Sequence, residues 1–199
     1  MNKRMLNLSK IVVLGLLLSF TTIDANAPTW NIDNSHTSIS FEVTHFFTPV
    51  AGSFKNFDGT LNFDPENLAG SSADFTVQIA SVETDNEKRN GHLQSEDFFY
   101  AKKYPEMKFR SSSFTKNDDG YILNGNLTIR DISKEISIPV KVLGIGEHPM
   151  KKSKLITAMR AEFTLNRNDY GVGSGSWAAT AVVGDEVKIS VLLEANRNK

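Results

Sequence analysis

The sequence predicts an all-β protein of antiparallel strands, closed as a barrel or stacked as a sandwich. Apolar and polar residues alternate with period two along eight runs of the chain, the signature of sheets with one apolar and one wetted face. The breaks between neighbouring runs carry tight-turn residues, as in DPENLAG, NDDG and RDISKE, and links that short join antiparallel neighbours. One stretch only, near residues 86–99, interrupts the strands with helix-forming residues.

Taken in order, residues 1–27 read as a signal peptide. Lys3, Arg4 and Lys10 give a positive start, residues 11–20 are an apolar run of ten, and Ala25-Asn26-Ala27 places small residues before a cleavage point. Ten apolar residues fall short of the about 20 that span a bilayer. Pro28 hinders cleavage after Ala27, so a cut after Ala25 is the alternative. The chain has no cysteine, hence no disulfide and no lipidated thiol. The expected product is a soluble exported protein, periplasmic or secreted, with residues 28–199 as one domain. No later run is long enough for stable membrane insertion.

The strand runs follow. WNID is short, and as an exposed edge it would leave room for a homodimer. TSISFEVT puts Ile39, Phe41 and Val43 on one face. DGTLNFD does so with Leu61 and Phe63, ADFTVQIASV with Phe75, Val77 and Ile79, and EMKFRSSSF with Met107 and Phe109. YILNGNLTIR aligns Tyr121, Leu123, Leu127 and Ile129, and EISIPVKV aligns Ile136, Ile138, Val140 and Val142. KLITAMRAEFTL aligns Met159, Ala161, Phe163 and Leu165, and EVKISVLLEA aligns Val187, Ile189, Val191 and Leu193. Pro139 inside its run marks an edge or a bulge.

Barrel and sandwich differ in the use of the apolar face. Two sheets fill each other, whereas an eight-stranded barrel can be filled by side chains or hold one ligand. Small residues on the inward face (Ala161, Thr157, Gly125, Ser111, Ser113) would leave a cavity, and the same face also allows a packed core. NEKRNGHLQSED lacks β-branched residues and starts after Thr84 and Asp85, either of which can cap a helix. Leu93, Phe98 and Phe99 then give this segment an apolar underside, so it reads as a cap over one barrel end.

Composition removes several function classes. Without residues 1–27, 19 Lys and Arg face 22 Asp and Glu, and no basic excess marks a nucleic-acid face. His36, His45, His92 and His148 are the only histidines, and none has helical metal-ligand spacing, so a zinc site would have to assemble across strands. GVGSGSW lacks the central serine of a nucleophile elbow and the spacing of a dinucleotide loop. It reads as a glycine-rich loop at a barrel mouth.

Five stretches, in order, resemble one family. They are WNIDNSHTSISFEVTHF, GSFKNFDGTLNFD, RNGHLQSEDFFYAKKYPEMKF, NGNLTIRDISKEISIPV and LNRNDYGVG. Together they are similar to the YceI-like, polyisoprenoid-binding proteins of bacteria over residues 30–194. The resemblance implies a lipocalin-like, eight-stranded antiparallel β-barrel with a long apolar channel that holds an isoprenoid or similar amphiphile. No catalytic activity is established for that family as a whole, so no catalytic residue is expected, and no cofactor beyond the bound lipid. Asn90 departs from the family pattern, which often has Asp there.

On that reading the channel wall is expected to include Phe41, Val43, Phe63, Phe75, Val77, Phe98, Phe99, Met107, Phe109, Leu127, Met159 and Phe163. A polar head group would need donors at the mouth, for which His45, Arg89, His92, Arg167 and Asn168 are the candidates. Arginine is suited to gripping a phosphate bidentately. The plainer roles are an Arg167–Asp169 pair and a His92 that satisfies the cap backbone. The function expected is sequestration of a polyprenyl phosphate, a quinone-like tail or another long-chain amphiphile. The alternatives are an enzyme on the same barrel, which needs His36, His45 and His92 to converge with an acid, and a packed stress or adhesion protein.

Overall fold

We describe the protein from a computed structural model, which places residues 26–173, 175–179 and 181–199. Most of the expected signal peptide, residues 1–25, lies outside the described residues. The strands are β1 (Thr29–Ile32), β2 (Ser38–His45), β3 (Thr48–Phe54), β4 (Phe57–Asn62), β5 (Ser72–Gln78) and β6 (Val82–Glu83). After the helix α1 (Glu87–Gln94) come β7 (Glu106–Asn117), β8 (Gly120–Ile129), β9 (Ile132–Glu147), β10 (Lys154–Asn166) and β11 (Val183–Asn198).

The strands close as a barrel. Every pairing is antiparallel, and the ring β1-β4-β5-β7-β8-β9-β10-β11 returns to β1. Closure depends on the four residues of β1. Asn31 and Ile32 pair with Asn196 and Ala195 of β11, while Thr29 and Trp30 pair with Asn62 and Leu61 of β4. β1 is therefore hydrogen-bonded on both sides, which removes the free edge expected there for a second copy. β2, β3 and β6 branch from the other half of β11 and wall the upper barrel.

Alternation explains which side chains enter. Along β10, Thr157, Met159, Ala161, Phe163 and Leu165 share the inward face, and their partners on β11 are Ala195, Leu193, Val191, Ile189 and Val187. β9 and β10 pair only up to Val140 and Ala161. Pro139, which has no N–H to give, stands one residue beyond that last pair. Two-residue turns join β8 to β9 and β7 to β8. In the first, Arg130 takes a left-handed backbone (φ 58°).

One end of the barrel is a packed floor. Trp30, Phe63 and Phe114 are buried there, and the Phe63 ring lies 5.4 Å from Phe114 and 5.3 Å from Tyr121. Trp30 Nε1 donates to the Phe63 carbonyl at 2.9 Å. Phe63 was expected in the channel wall and is instead in this floor. It shares the inward parity of Leu61 but lies past the end of β4, where the chain crosses under the barrel. Ala27 is also buried, and its N–H donates to the Gly70 carbonyl at 3.0 Å.

Candidate functional site

Above the floor the barrel encloses a cavity of about 260 Å³. Its exposed wall is apolar. β2 contributes Phe41 and Val43, β5 Phe75 and Val77, β7 Met107 and Phe109, β8 Leu127, β10 Met159 and Phe163, and the cap Phe98 and Phe99. The structure thus brings together eleven of the twelve residues expected in the channel. Val187, Ile189 and Val191 of β11 and Ile136 and Ile138 of β9 also line it, and the same alternation marked them in the sequence.

The interior stays open because several large rings lie flat on the wall. Gly59 pairs with Phe75 across β4 and β5, and a Cβ on that glycine would meet the Phe75 ring at 2.6 Å. Gly125 gives the same room to Phe109, at 2.6 Å. A ring that lies over a glycine covers bare backbone and does not reach the barrel centre. Of the five small residues expected to open the cavity, Ala161 lines it. Gly125 serves Phe109, while Thr157, Ser111 and Ser113 are taken up in hydrogen bonds.

The segment 86–99 forms the lid. Asn86 caps α1, its side chain accepting from the Arg89 N–H, so the cap is one residue past Asp85. Leu93, Phe98 and Phe99 turn down into the cavity. Arg130 stitches lid to rim, donating through Nη1 to the carbonyls of Phe98 and Gly171.

Asn90 explains the departure from the family pattern. Its Oδ1 accepts from Thr84 N at 2.9 Å and Thr84 Oγ1 at 2.6 Å, and its Nδ2 donates to Glu83 Oε1 at 2.9 Å. Both ends of the amide are used. That bond, followed by the Asp85 N–H, holds the Glu83 carboxyl below its ordinary value of 4.5. A lowered carboxylate pKa stabilises the fold above the unfolded value, and the contribution is lost as pH falls through the folded one. An Asn90→Asp variant would set two carboxylates face to face. We expect Glu83 to titrate higher and the amides of 87–94 to exchange faster. Unchanged carboxyl titration in NMR would contradict this knot.

The five residues expected to meet a head group are placed otherwise. Arg167 is 5% exposed, and all five of its N–H bonds point to carbonyl oxygens. Nε donates to Gly184 (2.8 Å), Nη1 to Val172 (2.8 Å) and Gly173 (3.2 Å), and Nη2 to Trp177 (2.7 Å) and Val183 (2.8 Å). It borders the cavity but has no donor left for a phosphate. Burial lowers its pKa, and Asp185 acts against the shift. Asp169 pairs with Lys134 at 3.2 Å, so the expected Arg167–Asp169 pair is absent. Arg89 donates to Thr84 Oγ1 and the Thr84 carbonyl, inside the lid.

His92 Nε2 lies 3.2 Å from Asp97, and its ring meets Phe98 and Trp177 edge-on at 4.9 and 4.8 Å. It thus joins the lid to the glycine-rich loop. Asn168 and His45 face solvent, His45 against the Phe46 ring at the β2–β3 tip. His36 is on the far end, where Nδ1 lies 3.1 Å from Asp33 and 3.7 Å from Glu194. Ligand atoms of these three lie within 4.8 Å of one another, the only such cluster among the described residues. It is away from the cavity. His36, His45 and His92 therefore do not converge on one pocket.

The chain matches the YceI-like domain over residues 30–195. It is 34% identical over 146 residues to the UPF0312 protein plu2095 of Photorhabdus laumondii, covering 70% of this chain and 76% of that one. The solved structure of Burkholderia cenocepacia BcnA superposes with a TM-score of 0.75 at 29% identity, covering 83% and 99% of the two chains. A polyisoprenoid binding domain from Saccharophagus degradans shares the fold, with a TM-score of 0.61 at 13% identity over 83% of this chain and 97% of that one.

Proposed function

This chain belongs to the YceI-like family, and from that premise we propose that it is an exported carrier. It holds the chain of an isoprenoid, as a polyprenyl phosphate or quinone-like lipid, or of another long-chain amphiphile, inside the barrel. The observation that carries this reading is the cavity itself, closed below by aromatic packing and walled by carbon. Such a wall favours a hydrocarbon chain by about 25 cal/mol for each Å² removed from water, with no directional contact needed. The polyisoprenoid binding domain with the same fold supports the same class of ligand. Binding, not catalysis, suits a cavity on which the histidines do not converge. The lid 86–99 and the glycine-rich loop, joined through His92 and Trp177, would gate entry.

Export rests on residues 1–27 of the sequence. Cell fractionation tests it, with the mature chain in the periplasm or medium beginning at Asn26 or Pro28. A cut after Ala25 keeps the Ala27–Gly70 hydrogen bond of the floor. A chain recovered whole from the cytoplasm would overturn this part.

Lipid uptake is tested with vesicles containing a polyprenyl phosphate or a prenylated quinone. After mixing and flotation, the vesicle-free protein should carry about one lipid per chain. Protein that takes up neither would contradict the carrier reading.

A further inference from the structure

Two phenylalanines at the tip of the β2–β3 hairpin are left unexplained by the packing of the barrel. Phe46 and Phe47 form the two-residue turn between His45 and Thr48, which pair across the hairpin. Phe46 has a left-handed backbone (φ 52°), a conformation that strains a bulky residue and that glycine takes freely. Neither ring gains packing in return. Phe46 is 57% exposed and Phe47 97%, the most exposed large apolar side chain among the described residues.

The tip is continuous with the cavity mouth. The Phe46 N–H donates to the Val182 carbonyl at 2.9 Å, and the next residue, Val183, lines the cavity. In the same loop the Trp177 ring lies 5.7 Å from Phe98 of the lid. Both segments are free of charge. From Thr44 to Phe54 and from Tyr170 to Gly184 the sequence has no Asp, Glu, Lys or Arg. The loop presents Ala178, Ala179 and Ala181 to solvent. The other end of the barrel differs: exposed Lys151 and Lys152 are at the β9–β10 turn, and Glu147 pairs with Lys199.

These features decide what covers the tip. A stable protein interface takes about 800 Å² from each partner, and two phenylalanine rings supply about 150–250 Å² each. A two-residue turn also projects outward and offers no groove for a second copy. A bilayer interface needs neither a matching shape nor a matching charge, and its hold scales with the apolar area it receives. It is also where a long-chain amphiphile resides before a carrier takes it up.

We propose that the β2–β3 tip is a peripheral membrane-docking wedge: Phe46 and Phe47 enter the interface of a lipid bilayer and set the barrel mouth against it. The choice of occupant rests on the carrier reading, but the docking itself does not require a filled cavity.

Vesicles of phosphatidylcholine are the probe. Wild-type protein should float with them equally at about 0.1 M and about 1 M salt, because an uncharged tip leaves nothing to screen. The double variant Phe46→Gly, Phe47→Ser should lower the vesicle-bound fraction about tenfold, in line with the apolar area removed. Its melting temperature should stay close to wild type, since both rings are exposed. A prenylated quinone should pass from vesicles to the variant about tenfold more slowly, yet load from cyclodextrin at the wild-type rate. Equal flotation of the two proteins, or none of wild type, would overturn the wedge. So would a wild-type dimer that binds no vesicles and that the double variant converts to monomer. Wild-type protein that floats but takes up quinone from neither source would uphold the wedge and remove the carrier reading.

Discussion

Arg167→Ala is expected to destabilise the protein by about 3–5 kcal/mol, since each buried acceptor left without a donor costs about 1–3 kcal/mol. The guanidinium binds five carbonyls spread from Val172 to Gly184. The net contribution of a hydrogen bond to a charged group is about 1.5–3 kcal/mol, and local relaxation offsets part of what is lost. Alanine leaves five acceptors, three of them buried, with no fixed donor and empties the space the side chain filled. Arg167→Lys separates charge from geometry. An ammonium keeps the charge but has three donors and no planar fork, so it should recover only a minor part of the loss. Urea unfolding at constant slope measures both variants, and amide exchange in 171–184 locates the damage. An Arg167→Ala protein within about 1 kcal/mol of wild type would show that the rim does not depend on this residue.

Ala161→Phe is expected to cut ligand affinity roughly 70-fold while leaving the fold intact. Ala161 is in the middle of β10, between Val140 and Val191, and its methyl borders the cavity. A ring there occupies space the ligand would use. If it takes away about 100 Å² of apolar contact, the loss is about 2.5 kcal/mol at 25 cal/mol per Å², which is roughly 70-fold in affinity. Filling an empty apolar cavity does not by itself strain the core, so the melting temperature should hold or rise. Titration calorimetry with any long-chain ligand reads the effect. Undiminished affinity in a folded Ala161→Phe protein would place the ligand elsewhere.

Much of the fold was legible because barrel walls obey one rule. Period two fixes which residues face inward, and the eight long runs each became a strand with the expected face inside. β3 was missed for a physical reason: TPVAGSF has Gly52 between Val50 and Phe54, where the inward face needs bulk, and Pro49 and Ala51 where the outward face is expected to be polar. Gly52 is small because it lies under the Phe41 ring of its partner strand, a relation that only pairing reveals. Closure by β1 was equally hidden, since four residues cannot show that they bond on both sides.

The site was legible in its walls and not at its mouth. Alternation predicts facing, so Phe41, Phe75 and Met159 could be placed from sequence. Phe63 had the right parity and the wrong height, and parity does not report height along the barrel axis. Arg167 was expected to offer its charge to a head group because it follows a strand in a polar connection. Whether such an arginine faces solvent or is wrapped by carbonyls depends on where Val172, Gly173, Trp177, Val183 and Gly184 come to lie, which the local sequence does not encode.

The most direct measurement is the native mass of the protein purified from the cells that make it, before and after solvent extraction. A lipid-filled barrel predicts one added mass per chain, removed by extraction and identified in the extract as a long-chain species. A single mass equal to the bare chain, with no uptake when polyprenyl lipids are supplied, would contradict the claim that the cavity is there to hold one.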